Sequence, residues 1–116
     1  MAMSDLQFGR TESGEPRAQP TAARHGADVA VLARFLTEEV RWPHYVDLLL
    51  DYAERAANGT PDTATGNAYG VSFDGQTARI EHLFLLDRPV AEIPSDVFAE
   101  TLRAWRVHLL ALSAPE

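Results

Sequence analysis

The chain has 116 residues, 46% hydrophobic and 23% charged, enough for one folded domain with a single core and too few for two. Seventeen acidic side chains against ten arginines give a formal net charge of -7, which opposes binding to nucleic-acid phosphates and favours a basic protein partner, while also serving plain solubility. Without cysteine there are no disulfides, thiolate metal sites or cysteine nucleophiles; no apolar run resembles a signal peptide or reaches the length of a membrane span, so a soluble cytoplasmic protein is expected.

Residues 1–27 read as a flexible tail, because Gly9, Gly14, Pro16, Pro20 and Gly26 interrupt a polar stretch without periodicity. Leu6 and Phe8 are its sizeable apolar residues beyond the first methionines, and they could dock onto the domain. The expected folded unit is a single domain over 28–113. Asp28 offers an N-cap, and Val29, Leu32, Phe35, Leu36 and Val40 recur at helical spacing, predicting a helix over 28–41. Pro43 suits the first position of a second helix, over 43–57, whose apolar face is Tyr45, Leu48, Leu49, Tyr52 and Ala56. Asp51 and Arg55 make an i, i+4 pair worth roughly 0.2–0.5 kcal/mol, and Asn58-Gly59 supplies a left-handed end. "TPDTATG" reads as a loop of turn formers.

Asp74-Gly75 is a two-residue hairpin signal of type I′. With that turn, Phe73 faces Gln76, Val71 faces Ala78, Tyr69 faces Ile80 and Asn67 faces His82. One sheet face then carries Tyr69, Val71, Phe73, Ala78 and Ile80, and the other Ser72, Thr77, Arg79 and Glu81. "LFLL" (83–86) is apolar on both faces, which implies a deeply buried strand end or an interaction surface. "DRPVAEIP" reads as a loop. Ser95 is a candidate N-cap for a third helix over 95–113, with Phe98, Leu102, Trp105, Leu109 and Leu112 in one stripe. The expected fold class is therefore α+β: two N-terminal helices, a β-hairpin open to extension by a partner or a second copy, and a C-terminal amphipathic helix.

Chemistry-bearing patterns are sparse. The histidines are His25, His44, His82 and His108. His82 reads as partly buried and hydrogen-bonded, or as a general base or partner contact; no activated nucleophile lies near it in the chain. His44, Asp47 and Asp51 fall at i, i+3 and i+7, a stripe that is a solvated helix face or, with a distant fourth ligand, a metal site. No P-loop, dinucleotide fingerprint, nucleophile elbow or paired-histidine motif is present, so no catalytic residue, cofactor or metal is assigned. Acidity concentrates in 28–62, where seven acids face three arginines for a local net of -4, and in 87–100, where four acids face one arginine.

Three segments together, "WPHYVDLLLDYAERAANG", "GNAYGVSFDGQTARIEHLF" and "IPSDVFAETLRAWRVHLL", resemble small bacterial immunity proteins of contact-dependent growth inhibition and related polymorphic toxin systems. The likeness rests on Trp42-Pro43 with Tyr45, on Gly66-Asn67-Ala68 opening a strand, on "RIEHLF", and on Phe98 with Trp105; it covers about residues 40–112. It implies a non-enzymatic protein that binds a cognate toxin, often a nuclease, and blocks its active site or substrate approach. Nuclease toxins tend to be basic, so an acidic inhibitor is physically apt. Glu38, Asp47, Asp51, Glu54 and His82 are the candidate contact residues. The alternatives from other classes are a self-associating module, a homodimer built on "LFLL" and the sheet edge, and a small enzyme using His82 with Glu81 or the His44/Asp47/Asp51 stripe.

Overall fold

The hairpin expected around Asp74 is the centre of a larger sheet. The computed structural model describes residues 6–20, 26–85 and 87–113. In chain order these form β1 (Leu6–Arg10), β2 (Pro16–Pro20), α1 (Gly26–Glu38), α2 (Pro43–Ala57), β3 (Asp62–Thr65), β4 (Tyr69–Phe73), β5 (Thr77–His82), β6 (Ala91–Pro94) and α3 (Ser95–Ser113). The class is α+β, but the expected architecture of two helices, one hairpin and a closing helix is corrected. Strands β1 and β2 make a two-stranded antiparallel sheet ahead of the helices, and β3-β4-β5-β6 make a four-stranded antiparallel meander. His25 and Leu86 lie outside the described residues.

The two strands missed in the loops have a plain origin. In β3, Ala64 is buried between exposed Thr63 and Thr65; in β6, buried Ala91 and Ile93 alternate with exposed Glu92 and Pro94. Both are four-residue edge strands, too short for alternation to stand out from the prolines and turn formers around them. Within the sheet, Ala64, Val71, Ile80 and Ala91 line up as one cross-strand row, and Phe73, Ala78 and Ile93 as the next. All seven are buried, with large side chains beside small ones, so the rows interdigitate with the helices above. The other face is polar: Thr63 Oγ1 and Ser72 Oγ lie 3.1 Å apart, and Arg79 stands opposite Glu92.

The β4–β5 register differs from the expected one by two residues. Tyr69 faces His82, Val71 faces Ile80 and Phe73 faces Ala78. A shift of two leaves every side chain on its expected face, because the strand period is two. The turn is wider than type I′: Gly75 alone takes a positive φ (+102°), and no non-glycine among the described residues does. Asp74 Oδ1 accepts the amides of Gln76 (3.0 Å) and Thr77 (2.7 Å), which closes the wider loop and holds its carboxyl below the ordinary carboxylate value. A Cβ on Gly75 would lie 2.9 Å from the Ala56 carbonyl, so the turn is seated against the end of α2.

Residues 6–20, expected within a flexible tail, form the β1–β2 hairpin. Leu6 and Ala18 join the core, and the Phe8 ring packs edge-on against Trp105 at 5.1 Å. Thr37 Oγ1 accepts the Ala18 amide at 2.8 Å and reaches the carbonyls of Ala33 (2.9 Å) and Ala18 (3.1 Å). His108 Nε2 sits 2.9 Å from the Gly9 carbonyl oxygen. A two-stranded ribbon is marginal alone; here α1 and α3 hold it.

Helix α1 spans Gly26–Glu38 rather than 28–41. Asp28 is therefore inside its first turn, and its Oδ1 accepts the Glu92 amide of β6 at 3.3 Å instead of capping α1. The Val40 carbonyl beyond the helix accepts Trp105 Nε1–H at 2.6 Å, which ties the α1–α2 connection to α3. Helix α2 begins and ends where expected, with Gly59 (φ +95°) past its end. Its buried face is Val46, Leu49, Ala53 and Ala56, so Leu48, expected inside, is 49% exposed. Helix α3 buries Phe98, Leu102, Trp105 and Leu109 of the expected stripe and leaves its last member, Leu112, half-buried. Ser95 does not cap it: its hydroxyl is buried without a hydrogen bond among the described residues, its amide donates to the Gln76 carbonyl (2.8 Å), and Asp96 Oδ1 accepts the Val97 amide (2.9 Å).

Candidate functional site

The expected contact residues do not form one surface. Along the outer side of α2, Asp47, Asp51 and Glu54 are exposed, but two of them are already paired. Asp47 accepts two hydrogen bonds from Arg106 of α3, 2.8 Å to Nε and 3.2 Å to Nη2. Asp51 pairs with Arg55 at 3.1 Å, and the Arg55 guanidinium lies 4.6 Å from the centre of the Tyr52 ring. The stripe of His44, Asp47 and Asp51 is thus partly consumed by arginines, and no group of three metal-ligating side chains occurs among the described residues. Asp28 of α1 and Asp96 at the start of α3 each accept a backbone amide, from Glu92 and Val97.

Glu38 and His82 are brought together instead, through Tyr69. The Tyr69 hydroxyl donates to Glu38 Oε1 at 2.6 Å, and its ring meets the His82 ring at 4.9 Å. Burial first, then the hydrogen bond and charge of Glu38, push the Tyr69 phenol up to about 12, against the opposing pull of Arg88 and Arg34. His82 Nδ1 accepts the amides of Phe84 (3.2 Å) and Leu85 (2.9 Å), so the imidazole proton is on Nε2 and the ring folds the chain back after β5. That turn makes the described part of "LFLL", residues 83–85, a surface loop rather than a buried strand end: Leu83 is half-buried against Gly70, and Phe84 is 72% exposed.

The corner between α1 and α2 is the most developed surface feature. An open cleft of about 650 Å³ runs there between Glu38, Trp42, His44 and Leu48 on one side and Thr65 to Asn67 on the other. Trp42 occupies the N-cap position of α2 in extended conformation, followed by Pro43, and its side chain is 62% exposed beside the exposed Leu48. Beneath them lies a residue the sequence reading passed over. Glu39 is buried, and its carboxylate accepts the amides of Ala68 (3.2 Å) and Tyr69 (3.0 Å). The Tyr45 hydroxyl beside it is buried and makes no hydrogen bond among the described residues; burial and the Glu39 charge push that phenol up to about 12. A Cβ on Gly66 would collide with the Glu39 carboxylate and come within 2.6 Å of the Tyr45 hydroxyl, so "GNAY" wraps a buried carboxylate at a point where any larger residue makes those side chains shift. The signal was available: Glu39 falls four residues after Phe35 and three after Leu36, on the stripe that turns inward. Trp42 had no comparable signal, because a tryptophan in a connection is as readily a core anchor as a surface one.

No helix among the described residues is long and apolar enough to cross a membrane. Comparison of the chain with protein-family profiles, with curated proteins and with solved structures returns no match.

Proposed function

We propose that this chain is a non-enzymatic cytoplasmic binding protein that neutralises a cognate bacterial toxin, and that the α1–α2 corner is where it meets that toxin. The exposed Trp42 beside exposed Leu48 carries the reading. An indole and an isobutyl group left in water on one cleft are the composition of a binding hot spot, and Glu38 with His44 gives them a polar rim. The net charge of -7 accelerates encounter with a basic protein such as a nuclease. This moves the centre of contact from the α2 acids to the corner, since Asp47 and Asp51 are occupied by Arg106 and Arg55. The resemblance over residues 40–112 supplies the toxin as the partner class.

The test is co-expression with the toxin encoded beside this chain's gene. Wild type rescues growth and binds the toxin with an affinity that falls as salt rises; Trp42→Ala folds normally and binds about 30-fold more weakly. Failure of the wild-type chain to rescue growth or to bind overturns the reading. Undiminished binding by Trp42→Ala moves the contact away from the corner.

A further inference from the structure

A second, smaller cleft, of about 210 Å³, opens between α1 and the β5–β6 connection, and its chemistry is opposite to that of the molecule as a whole. In a chain of net charge -7 it gathers two guanidinium groups, Arg34 and Arg88, with His82, the Tyr69 ring and an apolar wall that includes Val31 and Pro89. Among the described residues Arg34 makes no ion pair. Arg88 approaches Glu38 Oε1 only to 3.7 Å, an ion pair beyond hydrogen-bond reach, while the Tyr69 hydroxyl donates to that oxygen at 2.6 Å. Its Nη1 is buried and has no hydrogen-bond acceptor among the described residues. The His82 ring, committed at Nδ1 to two loop amides, keeps Nε2–H as a further donor. The cleft therefore holds more donors than acceptors, and two positive charges against the single negative charge of Glu38.

We propose that this cleft binds a monocarboxylate on a short apolar body, the carboxylate taken between Arg34 and Arg88 and the body laid against Val31 and Pro89. A planar carboxylate matches the guanidinium fork and gives Arg88 its missing acceptor. One negative charge balances the local surplus, whereas the second charge of a phosphate dianion would be repelled by Glu38. The volume admits a single ring or a short chain and excludes a nucleotide. Two sources share this chemistry, a free acid and the acidic side chain of a polypeptide. The site is independent of the toxin reading and stands or falls separately.

The test is an NMR titration of the full chain, reading backbone amides and the arginine Nε–H signals, with benzoate, with N-acetylglutamate methylamide and with benzamide. A carboxylate that fills the cleft binds with a Kd on the order of 1 mM and moves the signals of Arg34, Arg88 and His82. Benzamide, the neutral isostere, binds at least about tenfold more weakly. Arg34→Gln, an exposed position, weakens benzoate about tenfold, and Glu38→Gln strengthens it by removing the competing carboxylate. Benzoate binding assigns a free acid; binding of the glutamate derivative alone assigns a polypeptide side chain. No response to either carboxylate overturns the proposal. So does an equal response to benzamide, or benzoate binding unchanged in Arg34→Gln.

Discussion

Two sets of carboxylates eight to twelve residues apart in the chain behave as different kinds of group. On the outer face of α2, Asp47 and Asp51 sit in water and hold arginines that are themselves about 40% exposed. At the α1–α2 corner, Glu39 is buried, has no cationic partner among the described residues, and is held by two backbone amides. Exposed ion pairs in high dielectric contribute little. A buried carboxylate bonded to amides organises its surroundings, because removing it leaves buried and half-buried donors without their acceptor. The acids that dominate the sequence's charge are therefore not the ones that shape the molecule.

The sharpest way to break this contrast is Glu39→Ala. It leaves the Ala68 and Tyr69 amides unsatisfied and should lower unfolding stability by about 3 kcal/mol in urea denaturation. A loss below about 1 kcal/mol would place Glu39 with the surface acids. Gly66→Ala approaches the same spot from the other side. Its Cβ meets the Glu39 carboxylate and the Tyr45 hydroxyl, and overpacking of this kind costs about 2 kcal/mol. Glu39→Ala should relieve part of that cost, so the double mutant is less destabilised than the sum of the two single changes.

The tyrosines report the corner and its neighbour through pH. Tyr45 and Tyr69 ionise near 10 when unfolded and near 12 when folded. Their contribution is fully present below about 10. Between the two values the unfolded chain releases the protons first, so stability declines as pH rises and the contribution is gone above about 12. Phenolate absorbance should show Tyr45 and Tyr69 ionising late, and the urea midpoint should fall between pH about 10 and about 12. Two-tyrosine ionisation at the ordinary value would mean that the corner is open to water. The smallest expected effect is on the α2 face: Asp47→Asn should cost about 0.5 kcal/mol or less, the loss shrinking further in high salt. A cost as large as that of Glu39→Ala would erase the distinction.

Periodicity over long segments was legible in the residues. Helix α2 has its expected limits, as does α3, because Pro43, Asn58-Gly59 and the stripe from Phe98 to Leu109 are local signals that need no tertiary partner. The faces of β4 and β5 were legible for the same reason, even though their register is two residues away from the type I′ expectation. What failed was everything whose stability is borrowed. The β1–β2 hairpin exists through Thr37, Trp105 and His108, and β3 and β6 through rows completed by β4 and β5. Asp28 and Ser95 have good capping chemistry, but the partners they meet are set by strands elsewhere in the chain.

The candidate sites divide the same way. The sequence by itself determined the net charge, the absent chemistries and the set of acids, since those are sums over residues. Only the tertiary structure decided which acids are free, that Glu39 is inside, that Trp42 and Leu48 are outside, and that Arg34 and Arg88 share a cleft with His82. The physical reason is that a side chain's role depends on the dielectric and the partners around it, and those come from residues tens of positions away in the chain.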